Sequence, residues 1–409
     1  MTEYARLVVT LDEPVAAGRN LRSDFRRDIH DHVPGSVLRG ALAAAWIQWL
    51  GVDITRTREF GEIFDGQGSF GPLHSVASYP VPLSVFVHKY GHTDKCRKLW
   101  WDAALDETAA GDMCEKCKYP LVASKGQPAG PVAMHSRTMS ALRTDGVAKD
   151  GNLFSETALT GGMRLSGWLH GDALRALESA DVPLDTLYLG SRRSLRGSAT
   201  VEVDRTAVPD PVEAVGNDVI LRLAAPGIFV DEFGMPRATP DLDELSEVLG
   251  VQVIDVRPWI RWTEAGGWHA ASGLPKPTER AVAPGSTFRV QCAEPPAEAA
   301  RRSLTARGVG LRRREGFGAL HVPSVPLPPA ALVGKVAGVN GDADLLDKLH
   351  ARTWSLRLGQ PDNTPFEDDL RSDRLTDYVK DALRTMLEIP DAATYENLLT
   401  TLENLCKPR

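Results

Sequence analysis

Three short stretches of this chain combine glycine with arginine: Pro34-Gly35-Ser36-Val37-Leu38-Arg39-Gly40, the run 189–197 (LGSRRSLRG) and the run 308–318 (GVGLRRREGFG). Glycine admits positive φ and close backbone approach, and a guanidinium grips phosphate oxygens in a planar fork. The pairing suits the backbone of a polyanion. The candidate contacts are Ser36 and Arg39 in the first stretch, Arg192, Arg193 and Arg196 in the second, and Gly308, Gly310, Arg312, Arg313, Gly316, Phe317 and Gly318 in the third. Any one stretch is equally well read as glycines turning the chain while arginines sit in water; three in one chain favour phosphate. The third has the spacing G-x-G-x5-G-x-G after a helix-like segment, so it is not a dinucleotide fingerprint, and no Walker A sequence occurs.

A second cluster has the residue types of a metal site. His88, His92, Cys96, Cys114 and Cys117 fall within 30 residues, with Cys114 and Cys117 forming a tight knuckle ahead of Pro120. Thiolates and imidazoles in such a pattern suit tetrahedral zinc, which would staple an insertion too polar to fold alone. The expected structural Zn2+ ligands are His88, Cys96, Cys114 and Cys117, with His92 as a substitute for either of the first two. Free thiols and a redox pair are the other readings; a redox pair begins a helix after a strand, a context not visible here.

Catalysis is sought among the histidines. Metal-independent RNA cleavage needs a base for the 2′-hydroxyl and cations for the phosphorane, for which His30 and His32 beside Arg26 and Arg27, or His135 beside Arg137, are candidates. Asp24 and Asp28 are the acidic candidates in the same stretch. The plainer account makes His30 and His32 solvated loop residues and His135 a packed one, and no catalytic residue is assigned.

Length and composition bound the rest. The chain has 409 residues, 43% hydrophobic and 25% charged, enough for two or three globular domains. No stretch approaches the about 20 apolar residues of a membrane span, and no signal-peptide layout opens the chain, so a cytoplasmic protein without a membrane partner is expected. Five cysteines are too few for a disulfide framework. A net charge of -7 excludes a protein that coats nucleic acid with its whole surface, but not local basic strips.

The elements that must carry these residues are partly visible. ARLVVTLDEPV alternates apolar and polar residues as a half-buried strand does; VLRGALAAAWIQWLG reads as a buried helix with Ser36 as its N-cap and Gly51 as its stop. A second strand-like start at 218–225, a strand at 286–291 and a short helix before Gly308 give the two halves one α+β pattern. The run 204–217 has linker composition, and from about Pro326 a Pro/Gly-rich connector leads to apolar residues at helical spacing.

The third loop, with Phe317 between two glycines, resembles the glycine-rich loop of the RAMP superfamily, the ferredoxin-like RNA-binding proteins of CRISPR systems. The V-P-G-S-x-L-R-G opening of the first helix, the 189–197 turn after a predicted helix, and Gly267-Trp268 leading to Gly273-Leu274-Pro275-Lys276-Pro277 agree. The order of these islands, with Pro82-Leu83-Ser84, the cysteine knuckle, His135-x-Arg137 and Asn152-Leu153-Phe154-Ser155, is similar to the large RAMP subunit of type III-D effector complexes. Where His88 stands the resemblance implies a cysteine, a departure that zinc tolerates.

The resemblance implies an α+β fold of tandem ferredoxin-like (RRM-like) RAMP domains with a zinc-knuckle insertion and a C-terminal helical region. The expected divisions are 1–203 with the insertion at about 80–130, 204–325, and a linker and helical tail at 326–409. The implied function is a non-catalytic RNA-binding subunit of a type III effector ribonucleoprotein. It would hold the 5′ repeat-derived tag of the crRNA and cap the complex, with crRNA and other effector subunits as partners and target RNA an indirect one. The alternatives are a RAMP endoribonuclease acting on precursor crRNA or target RNA, and a scaffold whose arginine loops meet acidic protein surfaces.

Overall fold

A computed structural model describes residues 3–20, 26–75, 78–89, 100–105, 113–114, 118–129, 132–145, 147–190, 196–269, 272–322, 343–358 and 366–389, with 395, 398 and 399. The chain forms two compact units, Met1–Leu83 with Val132–Val322, and Ser84–Pro131 with Pro323–Arg409. Antiparallel sheets and helices are mixed throughout.

The first unit opens with strand Tyr4–Leu11, in which Ala5, Leu7, Val9 and Leu11 are buried and the residues between them are less so, as the alternation in the sequence predicts. Helix Gly35–Leu50 buries Leu38, Ala41, Leu42 and Trp46 in the same core and ends at Gly51, whose φ of 85° only glycine adopts readily. The sheet runs in the order Thr186–Tyr188, Ser198–Asp204, Tyr4–Leu11, Arg164–His170, Ser69–Phe70, antiparallel throughout. Along the chain this is strand, helix Gly35–Leu50 with helix Arg58–Asp65 after it, strand, strand, a 3-10 helix at Gly171–Leu177, and two strands. A long hairpin of Met134–Leu142 and Ala148–Leu159 joins the short strands Gly18–Asn20 and Arg26–Ile29 in a separate sheet.

The pattern begins again at strand Asp218–Arg222, followed by helix Leu242–Leu249, strand Val253–Trp259, strand Thr287–Cys292 and helix Glu298–Arg307. Their sheet has the order Glu213–Val215, Asp218–Arg222, Thr287–Cys292, Val253–Trp259. The second copy has no full last strand: after the glycine-rich loop, Leu320 bridges Leu223, the Ala224 N–H donates to Ala319 O, and the His321 N–H donates to Arg222 O. A second core gathers Leu221, Leu245, Phe288, Val290 and Leu304.

Three expectations from the sequence are corrected. Ser36 is not the N-cap: Pro34 takes that position with extended backbone, its carbonyl accepts from the N–H groups of Val37 and Leu38, and Ser36 lies exposed in the first turn. The 189–197 turn follows strand Thr186–Tyr188 and not a helix. The run 204–217 is no free linker, because Arg302 donates to Pro209 O, Thr305 to Asp210 O and Arg301 to Val212 O, lashing it to helix Glu298–Arg307 before it ends in strand Glu213–Val215.

In the second unit, strands Val85–His88, Trp100–Asp102 and Leu121–Ala123 form a small antiparallel sheet, and Cys114 is buried with Trp101 and Leu121. The tail holds helices Ala343–Leu358, Glu367–Arg371 and Asp377–Leu387 around Leu345, Leu349, Phe366, Leu383 and Tyr395. No helix among the described residues is long and apolar enough to cross a membrane.

Candidate nucleic-acid interface

The fold brings two of the three glycine–arginine stretches into backbone contact. Helix Gly35–Leu50 starts against the loop that follows helix Glu298–Arg307: a Cβ built on Gly35 would lie 2.0 Å from Phe70 O and 2.6 Å from Gly316 Cα, and one on Gly316 would lie 2.8 Å from Gly35 Cα. Neither position has room for a side chain, and Gly316 also has a φ of 85°. Ser69 Oγ donates to Arg307 O at 2.6 Å and locks the same junction. The helix has no side-chain cap and no acidic residue in its first turn. Val37 and Leu38 already donate to Pro34 O, so the first-turn amides beside the glycine-rich turn are those of Gly35 and Ser36, and a helix N-terminus attracts anions.

The loop arginines have structural work. Arg312 Nε and Nη2 donate to the two carboxylate oxygens of Glu315 at 3.1 and 2.9 Å, Nη1 lies 3.2 Å from Glu279, and the guanidinium sits 4.7 Å over the Phe317 ring. Lys276 adds a bond of 2.6 Å to Glu315. Burial alone would raise the Glu315 carboxyl, but the Arg312 and Lys276 cations overcome it and hold the group down at about 2. Arg313 Nη1 donates to Glu244 at 3.0 Å and to Gly310 O at 2.8 Å, while Arg307 donates to the same Glu244 oxygen at 3.1 Å. Arg312 adopts a left-handed backbone with a φ of 56°, unusual for a residue with a side chain, and these pairs hold it there.

At the helix side, Arg39 donates to Phe64 O and to Asp65, both at 2.5 Å, and Arg314 donates to Asp65 O at 2.9 Å. Gly308, Gly310 and Gly318 shape the loop, each with positive φ; the Gly310 N–H faces the Glu244 carboxylate. Of the expected contacts here, Ser36 is exposed and Arg39 and Phe317 are half-buried, whereas Arg312 and Arg313 are turned into the fold by their carboxylate partners.

Arg196, from the middle stretch, lies elsewhere. It forms a buried ion pair with Glu156 and lines a cavity of about 300 Å³ with Glu13, Pro14, His135, Arg137 and Ala158. His135 is exposed at this cavity and not packed in a core, so one of the histidine candidates stands at a cavity lined by two arginines. Arg192 and Arg193 lie outside the described residues, as does the Asp28 side chain. His30 and His32 are not plain loop residues either: their rings begin a stack that runs on through His74.

The expected metal ligands fall largely outside what is described: Cys96, Cys117 and the substitute His92 are not described, and His88 is placed by backbone alone. That backbone puts His88 opposite Leu121, with Lys89 N–H donating to Pro120 O at 2.9 Å, and Met113 bridging Pro120. His88 and Cys114 thus belong to one end of the small sheet. No group of three or more metal-ligating side chains is assembled among the described residues.

Sequence reasoning missed the carboxylates Glu244, Glu279 and Glu315: Arg307 and Arg313 for Glu244, Arg312 for Glu279 and Lys276 for Glu315 are far away in sequence and become partners only in three dimensions. It also missed a stacking surface, although Trp268 and Leu274 were noted as an island. The strands Trp262–Ala265 and Glu279–Val282 pair, and Trp268–His269 pairs with Leu274–Pro275. Arg280 stacks 4.3 Å from the Trp262 ring, Arg257 lies 5.1 Å from that of Trp259, and Trp262, Trp268 and Leu274 are exposed. Exposed aromatic faces beside guanidinium groups are platforms for unpaired bases.

No family model matches the chain, and no curated protein matches it. Among solved structures it is similar to a chain of the Type III-B Cmr-beta complex bound to cognate target RNA and AMPPnP, at 13% identity and a TM-score of 0.40, covering 69% of this chain and 86% of that one. It is similar to a RAMP protein described as binding different RNA substrates, at 13% identity and a TM-score of 0.31, with 77% and 98% covered. A third similar structure is a Cas6-related protein from Pyrococcus furiosus, at 9% identity and a TM-score of 0.31, with 79% and 100% covered.

Proposed function

We propose that this chain is a non-catalytic RNA-binding subunit of a type III CRISPR effector ribonucleoprotein, built from two ferredoxin-like halves, that holds the repeat-derived 5′ tag of the guide RNA and caps the complex. The reading is carried by the meeting of Gly35 with Gly316, where an uncapped helix N-terminus and a glycine-rich turn face one another. A phosphate there receives amide hydrogen bonds without needing the guanidinium groups of Arg312 and Arg313, which brace the turn. The strand-helix-strand-strand-helix order of both halves and the Trp262–Arg280 stacking pair support the same reading. Type III-D subunits remain the family resembled in sequence, and other effector subunits the partners proposed.

The test is to co-express the chain with its neighbouring genes and a CRISPR array, purify it and sequence the RNA that accompanies it. Guides with a uniform 5′ tag are expected with the natural chain and strongly depleted with Ser36→Glu, which places a carboxylate at the helix N-terminus. RNA-free protein, or equal guide recovery with both chains, overturns the site. A second reading, endoribonuclease, has its own observation in His135 and Arg137 at one cavity; cleavage of added precursor RNA that is lost in His135→Ala selects it.

In the insertion we propose a structural zinc ion held by His88, Cys96, Cys114 and Cys117. Placement of His88 and Cys114 at one end of the small sheet supports it.

A further inference from the structure

Between the two halves of the first unit runs a column of stacked rings. His32 and His74 stack with centroids 4.2 Å apart, His74 and Tyr79 at 4.5 Å, and Tyr79 and His321 at 3.6 Å, with interplanar angles of 22°, 18° and 10°; His30 leans on the outer end at 5.1 Å. Both ends of the column lie on chain segments that lead to the candidate phosphate site. His32 is two residues ahead of Pro34, on a segment where Val33 and Leu73 exchange backbone hydrogen bonds of 3.0 and 2.8 Å. His321 is three residues beyond Gly318, on the segment that pairs with Arg222. The rings therefore tie together the two pieces of chain that end in Gly35 and Gly316.

We propose that this column is a proton-sensitive clamp on the candidate RNA site: neutral rings hold the two loops together, and protonation of His74 or His321 releases them. The inference rests on the RNA-binding reading for its consequence, though not for its chemistry.

The hydrogen bonding specifies why the inner rings must be neutral. Ser78 Oγ donates its single proton to Ser75 O at 3.1 Å and accepts from the Ser75 N–H, so His74 Nδ1, 3.0 Å away, is the donor to that hydroxyl. His74 Nε2 is then a bare nitrogen, buried and without a hydrogen-bond partner among the described residues; His321 Nε2 is likewise buried and without a partner there. Once protonated, either ring carries a buried Nε2–H with no acceptor among the described residues. The charged groups around the column do not offset this. Asp31 accepts from His32 Nδ1 at 2.7 Å, at the end remote from His321. Arg222, paired with Glu213 at 2.7 Å, acts on His321 as a like charge; His30, His32 and His321 act so on His74, and Arg6 acts on Tyr79. Burial, reinforced by these neighbours and only partly offset at His74 by its hydrogen bond with Ser78, pushes His74 well below the usual histidine range and His321 down to about 3, while burial lifts the Tyr79 phenol to about 12. Attraction of an imidazolium for the Tyr79 face is weaker than the cost of burying it unpaired.

The sign of the linkage follows. Both folded-state values lie below the ordinary histidine value of about 6.5, so the unfolded chain binds these two protons first. The contribution to stability is complete above about pH 6.5 and is lost as pH falls from there, for His321 toward about 3, approaching about 100-fold in the folding equilibrium per pH unit while both groups contribute.

The experiment is urea unfolding of the full chain at pH 7.5, 6.5 and 5.5, beside the double variant His74→Phe with His321→Phe, which keeps the stacked rings and removes the titration. The natural chain is expected to lose stability steeply below pH 6.5 and the variant to lose up to about 100-fold less per unit. Equal slopes overturn the clamp. If the variant fails to fold, 13C-histidine NMR of the natural chain decides: two imidazoles neutral down to pH 5 support the clamp, and ordinary titration of all ten histidines overturns it. In parallel, fluorescein-labelled single-stranded RNA is titrated at pH 7.5 and 5.5. Affinity that falls more in the natural chain than in the variant links clamp to site, and affinity equally pH-dependent in both severs that link. No binding at either pH, with proton-linked stability intact, overturns the RNA-binding reading and leaves the clamp.

Discussion

Arg312 and Glu315 hold each other through two hydrogen bonds of 3.1 and 2.9 Å, three residues apart in a loop whose backbone is left-handed at Arg312. The pair fixes the shape of the turn that meets Gly35. An arginine that reads in sequence as a phosphate ligand is thus paired with carboxylates of its own fold.

Arg312→Ala is expected to destabilise the first unit by about 2–3 kcal/mol, because it leaves the Glu315 carboxylate buried with Lys276 as its remaining cation. Chemical denaturation measures this. A variant of unchanged stability that loses RNA affinity would mean that Arg312 is a ligand and not a strut.

Ser36→Glu separates folding from binding by opposite signs. A carboxylate in the first turn interacts favourably with the helix dipole, by about 0.3–1 kcal/mol, while repelling a phosphate at the same amides. The expected outcome is an equal or higher melting temperature together with weakened RNA binding.

Gly316→Ala puts a methyl group 2.8 Å from Gly35 Cα and 3.0 Å from Phe70 O, at a φ that L residues avoid. With backbone on both sides there is nothing flexible to yield. A loss of about 2–4 kcal/mol, read from urea midpoints, is expected; a neutral effect would mean that the two loops do not touch in solution.

Glu315→Gln tests acid stability. The folded Glu315 carboxyl is held at about 2 against an ordinary value of about 4.3, so its contribution is present above about pH 4.3 and disappears as pH falls toward 2. The variant is expected to be less stable at pH 6 and to show a shallower decline in that window, as followed by circular dichroism.

Cys114→Ser tests the knuckle. Metal analysis of the natural chain is expected to find about one zinc per molecule, and the variant little. The variant should also expose the insertion to proteolysis between residues 84 and 131, since Cys114 is buried in the hydrophobic cluster with Trp101 and Leu121 there. Metal-free natural protein would overturn the assignment.

What was legible in the sequence was local. The alternation at 4–11, the apolar run at 35–50 ending in Gly51, and the helical spacing at 343–358 and 377–387 all became the elements expected, because periodicity records which face is buried. Ser36 misled because its cap chemistry is right but Pro34 already supplies the extended turn. The 204–217 run misled because Pro, Asp and Gly describe a chain without regular structure and say nothing of the bonds from Arg301, Arg302 and Thr305 that fasten it.

The sequence by itself determined the residue types available: glycines able to accept close contact, arginines able to pair, histidines able to stack. Only the tertiary structure decided their partners. Gly35 meets Gly316 across 281 positions, Arg313 finds Glu244, and His74 meets His321 through Tyr79, because sheet order and helix packing set those distances. Charge and ring geometry act over a few ångströms in space, whereas sequence spacing specifies neighbours only within a turn or two.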